Sequence, residues 1–161
     1  MTAMVLPQFG ATTSGGASAT AGFIAKQIDQ WRRQLQDSYA LGQRAKGTFN
    51  ELYQAFEECR RANWDGYGAV PVSQETFDQA YRFLGALPLG APAPTVGAEP
   101  DGHITFEWYQ SPRRTLSISI SPESELHYAA LLGASKDYGT EPFFGDIPQN
   151  ILGLVRRVVS V

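Results

Sequence analysis

Apolar and polar residues alternate strictly over three stretches of the C-terminal half: Ile104, Phe106 and Trp108; Leu116, Ile118 and Ile120; Leu126, Tyr128, Ala130 and Leu132. A period of two is that of a strand with one face buried, so residues 103–109, 115–121 and 126–132 are predicted as successive strands of an antiparallel meander. A turn at Asp101-Gly102 opens it. Keeping the apolar residues on a common face sets Trp108 opposite Leu116 and Ile120 opposite Leu126.

Elsewhere the period is helical. Ile24, Ile28, Trp31, Leu35 and Tyr39 form a narrow stripe, predicting a first helix over residues 21–44 whose end Gly42 and Gly47 bracket. Thr48 followed by Glu51 has the form of a capping box for a second helix running to about Ala62, with Phe49, Leu52, Tyr53 and Phe56 on its buried face. Ser73 is placed to cap a third, with Phe77, Ala80, Tyr81 and Leu84 inward and Pro88 as its stop. Asp146 and Gln149 suggest the start of a C-terminal helix striped by Ile147, Ile151, Leu154, Val155 and Val158. Between Pro88 and Pro100 the proline content allows only an extended connection, with an edge strand near Val96 at most.

Helices, then strands, then a helix indicate an α+β fold: a three- to four-stranded meander with helices on one face. Residues 1–20, rich in Gly, Ala, Ser and Thr after Gly10, read as a flexible tail. Residues 21–161 read as a single domain from which the first helix extends.

Composition narrows the function classes. The net charge of −3 and pI near 5.3 provide no basic footprint for phosphates, which disfavours nucleic acid as a partner. Cys59 is the only cysteine, which excludes an intrachain disulfide or thiolate cluster. The start of the chain lacks the charged and apolar regions of a secretory signal, and no later segment has the apolar length of a membrane span; a cytoplasmic location is expected.

The most distinctive string is Asn63-Trp64-Asp65-Gly66-Tyr67-Gly68-Ala69, placed where the second helix must turn toward the third. Its glycines suit unusual backbone conformations, and its aromatics suit either a packed plug or a partner contact through Trp64, Asp65 and Tyr67. His103, Glu107 and His127 all fall on the polar face of the meander. Two strand spacings and a two-residue offset put the histidines roughly 12 Å apart, which argues against a shared metal. Cys59, three residues after Phe56 on the helix, reads as a packed residue rather than a nucleophile, since no histidine is near it in sequence. The glycine strings match no phosphate-binding loop. No cofactor is expected.

The string N-W-D-G-Y-G-A, a helix ending F-L-G-A-L-P, and D-G-H-I-T-F-E-W with the meander together resemble a family of small bacterial proteins with no established activity. The resemblance covers the chain from about Cys59 to its C-terminal end and leaves out Met1 to Arg44. It implies a bacterial or mobile-element origin and transfers no catalytic residues. The expectation is a non-enzymatic interaction protein of the antitoxin, immunity or anti-defence type. Trp31 and Leu35 would contact a protein partner or a second copy in a homodimer, and Trp64, Asp65 and Tyr67 would contact the partner. The alternatives are an enzyme with dispersed site residues near Asp65, Tyr67, His103 and Glu107, and a homo-oligomeric structural protein.

Overall fold

The computed structural model describes Gly42 and residues 45–160. They belong to the unit Ala40–Val161. The expected tail and the stripe carrying Trp31 and Leu35 lie outside the described residues.

Residues 45–59 form helix α1. Gly42 and Gly47 are both helical, and Thr48 is a buried residue inside α1, so neither the glycine stop nor the Thr48 capping box exists. A glycine inside a helix costs only about 1 kcal/mol, which inward packing of the neighbouring turn can offset. The buried stripe is Thr48, Leu52, Phe56 and Cys59, and Tyr53, one residue round from Leu52, is exposed. Helix α2 spans Gln74–Ala86, with the Ser73 hydroxyl accepting from the Thr76 N–H at 3.1 Å as its cap. Its face is Thr76, Ala80, Phe83 and Leu84; Tyr81 points outward and Phe83 takes the core position. Helix α3 spans Gln149–Val159 and buries the expected stripe, but Pro148 is its N-cap and makes no side-chain cap bond. Asp146 lies too far before the first turn to serve.

Five strands, β1 Thr95–Ala98, β2 Ile104–Ser111, β3 Arg114–Ile120, β4 Glu125–Leu132 and β5 Ser135–Pro142, form one antiparallel sheet in sequence order. Trp108 faces Leu116 and Ile120 faces Leu126, the register required by the alternation. The fifth strand exceeds the three or four expected. Nearly all of it is exposed on both faces, so it has no apolar period to detect.

The helices pack on the face carrying Ile104, Phe106, Leu116, Ile118, Ile120 and Leu126, all fully buried. Phe83 of α2 stacks on Phe106 with ring centroids 5.2 Å apart and meets Phe143 edge-on at 5.8 Å. Each such side chain contributes roughly 1.5–3 kcal/mol through burial, which makes this face the core. The opposite face, carrying Thr105, Thr115, Ser117 and Ser119, stays half-buried and polar. No helix among the described residues is long and apolar enough to cross a membrane.

Candidate functional site

The β1–β2 connection concentrates chemistry at one end of the polar face. Its sequence is Glu99-Pro100-Asp101-Gly102-His103, and the Glu99 N–H donates to the His103 carbonyl at 2.9 Å, closing a three-residue hairpin loop. Pro100 presets the bend, and Gly102, at φ +89°, occupies the left-handed position that ends it. Gly102 also has no room for a side chain, since a Cβ would stand 3.0 Å from the Pro71 carbonyl oxygen. Ala98 pairs with Ile104, so Glu99 and His103 are the next pair outward and emerge on one face. Asp101 is folded back between them: its Oδ1 accepts from the His103 N–H at 3.1 Å, and its Oδ2 lies 3.4 Å from the ring Nδ1.

Glu99, Asp101 and His103 consequently each offer a ligand atom within 4.8 Å of the others. The Glu99 carboxylate is oriented from below, because Oε1 accepts from the hydroxyls of both Thr105 and Ser119. Those two hydroxyls occupy facing positions on β2 and β3 and are also 3.1 Å from each other. With Oε1 engaged, Oε2 is the oxygen left for a ligand.

His127 on β4 faces Ser119, and its ring stacks parallel to that of His103, with centroids 5.6 Å apart and planes 3° apart. The separation of roughly 12 Å expected from the backbone is therefore wrong for the rings. The register behind it was right, but imidazoles reach well beyond their Cα atoms and only small serines occupy the intervening strand. His127 is itself held by Thr140 Oγ1, 2.9 Å from Nδ1, and by Glu125 Oε2, 3.8 Å from Nε2. Its role here is a wall rather than a member of the close cluster.

Ser121 continues β3 by one residue, its N–H bonded to the Glu125 carbonyl at 3.1 Å. Strand alternation puts it on the side of Ser117 and Ser119, in the row of His103. It is only 1% exposed, and its hydroxyl is the sole buried side-chain polar atom without a partner among the described residues. Natural structures ordinarily satisfy such a group with a protein partner or an ordered water.

The Asn63–Ala69 loop uses its polar groups on itself. Asp65 Oδ1 accepts from the N–H groups of Tyr67 at 2.8 Å and Ala69 at 3.0 Å, Asn63 Oδ1 accepts from Gly68 N–H at 2.7 Å, and Trp64 Nε1 donates to the Val70 carbonyl at 3.1 Å. Bonds from the Tyr67 and then the Ala69 N–H hold the Asp65 carboxyl below its usual range. Gly66 and Gly68 have φ +77° and +96°, and Asn63 is left-handed at +61°. Only Tyr67, 94% exposed, projects from the loop.

Of the dispersed residues expected to converge, His103 alone enters the cluster. Asp65 is committed to its loop, Tyr67 is splayed into solvent, and Glu107 lies four residues along from His103, against Thr95 and Ser117. Glu99 and Asp101 take their place. The signal for them was the string E-P-D-G-H, which has the form of a three-residue hairpin loop with Glu and His as its flanking pair. Cys59 is buried, and burial first, then the Glu58 charge, pushes its thiol upward, as suits a packed residue and not a nucleophile.

No family model, curated protein or solved structure matches the chain.

Proposed function

We propose that the chain binds a divalent transition-metal cation at the β1–β2 end of its polar face, through Glu99, Asp101 and His103. The observation that carries this is the convergence of two carboxylates and one imidazole within 4.8 Å. The Asp101 Oδ2 to His103 Nδ1 separation of 3.4 Å also matches the roughly 3.3 Å edge between two ligands on a tetrahedral zinc-like ion. A mixed oxygen and nitrogen set suits Zn²⁺ or Mn²⁺ better than Ca²⁺. Thr105 and Ser119 supply the outer hydrogen bonds that fix a ligating carboxylate.

Three protein ligands leave coordination positions for water or an anionic ligand, the arrangement of sites where chemistry is done. This favours an enzyme-like or ligand-exchanging role. Calorimetric titration of the full chain with Zn²⁺ and Mn²⁺ tests the site: micromolar binding of one ion is expected, weakened at least tenfold in His103→Ala and in Asp101→Asn. Wild-type affinity in both variants would sink the proposal.

A second reading keeps the interaction protein, on the strength of Tyr67, whose almost complete exposure on a pinned loop is the form of an aromatic anchor. In that case Tyr67→Ala removes a protein partner from a native pull-down while leaving metal binding and stability unchanged.

A further inference from the structure

With the strands in the order β1-β2-β3-β4-β5, only β1 and β5 have an unpaired side, and the two edges differ. An open edge is a template for another strand, and folded chains ordinarily blunt it by shortness, by proline or by a bulge. Strand β1 is blunted twice over: it has four residues, and Pro92 and Pro94, just before it, have no N–H to offer. Strand β5 has eight residues, pairs with β4 without a register shift, and carries its one proline, Pro142, at its last position. Tyr138 near its middle is 79% exposed, and Phe144, two residues past its end, is 91% exposed.

The hydrogen-bond phase settles which backbone groups of β5 face outward. The Phe143 N–H donates to the Ser124 carbonyl at 2.8 Å, so the pairs in step with it, Leu126 with Glu141, Tyr128 with Gly139 and Ala130 with Asp137, are the bonded ones. The other side of β4 gives the same phase. There the Ser121 N–H donates to the Glu125 carbonyl and the Gly133 N–H to the Arg113 carbonyl, which turns His127 and Ala129 toward β3 and leaves Leu126, Tyr128 and Ala130 for β5. The main-chain N–H and C=O groups of Lys136, Tyr138 and Thr140 therefore point away from the sheet, and no hydrogen bond among the described residues takes them up.

We propose that β5 pairs antiparallel with β5 of a second copy of this chain, about a twofold axis at Tyr138, so that the two sheets become one. At that register Tyr138 faces its own counterpart and Lys136 faces Thr140 in both directions, and each pair exchanges two N–H···O bonds. The charges select the same register. Asp137 then lies opposite Gly139, and Ser135 opposite Glu141, with no like charges facing each other. Moving the axis one residue toward the N-terminus sets Asp137 against Asp137, and one residue toward the C-terminus sets Asp137 against Glu141 twice. Pairing along one strand buries less than a standard interface, so the expected dissociation constant is micromolar or weaker. The proposal stands apart from the metal cluster, because it concerns the outer edge of β5 and needs no ion.

Sedimentation equilibrium of the full chain from low micromolar to millimolar concentration tests it, and a reversible monomer–dimer equilibrium is expected. Tyr138→Pro removes an outward N–H while leaving every bond to β4 in place, and it should weaken the dimer at least tenfold with an unchanged circular dichroism spectrum. The register is tested by oxidation. In Tyr138→Cys the two Cα atoms would stand about 5.5 Å apart across the axis, within disulfide reach, whereas in Lys136→Cys they would be more than about 13 Å apart. Tyr138→Cys should therefore cross-link at least tenfold faster than Lys136→Cys, with the wild type, whose Cys59 is buried, as the control. A wild-type chain that stays monomeric at every concentration would overturn the proposal, including the case in which a strand of a different protein occupies the edge. A folded Tyr138→Pro that dimerises as the wild type does would overturn it too, by placing the association elsewhere on the chain. Should Tyr138→Pro fail to fold, the disulfides decide: equal cross-linking of the two cysteine variants, or none in either, excludes the axis.

Discussion

The Asn63–Ala69 loop and the Glu99–His103 turn are both short, polar and glycine-containing, and they adjoin, since the Val70 N–H donates to the Pro100 carbonyl at 2.8 Å. They differ in where their polar atoms go. In the loop, Asp65 and Asn63 accept from the loop's own backbone and Trp64 reaches back to Val70, so the side chains stand in for secondary structure. In the turn, the backbone bonds close the hairpin and Asp101 Oδ1 takes only the His103 N–H, so Asp101 Oδ2, Glu99 Oε2 and the His103 ring remain together as a cluster. Polarity that is consumed makes architecture; polarity left over makes a candidate site. The more conspicuous string is the architectural one.

Gly102 is where this distinction can be broken most severely, because it serves both regions. Its φ of +89° disfavours any side chain, and a Cβ would press on the Pro71 carbonyl that lies just beyond the loop. Gly102→Val is expected to cost about 3 kcal/mol in denaturant unfolding and to abolish metal binding, by opening the hairpin that sets Glu99 beside His103. Retained metal affinity at wild-type stability would mean the cluster does not depend on the turn.

Trp64 sharpens the comparison from the other side. Half-buried and packed against the core cluster, it should cost about 2 kcal/mol when changed to Ala, less than a fully buried aromatic. If the loop is architecture alone, metal affinity in that variant stays within a factor of two of the wild type. A tenfold loss would couple the two regions.

What could be read from residues alone follows the same division. Ile104, Phe106 and Trp108 alternate because one face of β2 is buried, and that alternation was sufficient to specify the register of β2, β3 and β4. Strand β5 left no such trace, because Lys136, Asp137 and Tyr138 are all exposed, and it is held by backbone pairing to β4. Gly139 in it even lies under the Tyr128 ring, where a Cβ would meet the hydroxyl at 2.9 Å. Local cap signals at Thr48 and Asp146 misled, since Thr48 lies buried inside α1 and Pro148 is the N-cap of α3. The cluster itself needed two things that periodicity does not supply: the loop length that pairs Glu99 with His103, and the reach of side chains across a strand of serines.

The smallest expected effect concerns the carboxylate of Asp65, and it tests whether the loop's polarity is truly spent. Two backbone N–H groups, from Tyr67 and Ala69, donate to its ionised form, and that is why its carboxyl titrates below the usual Asp range near 4. A carboxyl whose folded value is depressed adds stability that is fully present above the unfolded value and is lost as pH falls through the folded one. The loop should therefore be insensitive to pH from neutrality down to about 5. Below that the contribution declines, and it ends when Asp65 protonates in the folded chain. The Tyr67 and Ala69 amide resonances are the direct readout, and both should move together in one acid transition lying below that of an unstructured Asp. In Asp65→Asn the side-chain oxygen can still accept, so the loop should persist at neutral pH while the transition disappears from both amides. Amides that titrate unchanged in Asp65→Asn would show that another group governs the loop, and that the carboxylate of Asp65 is free for a partner after all.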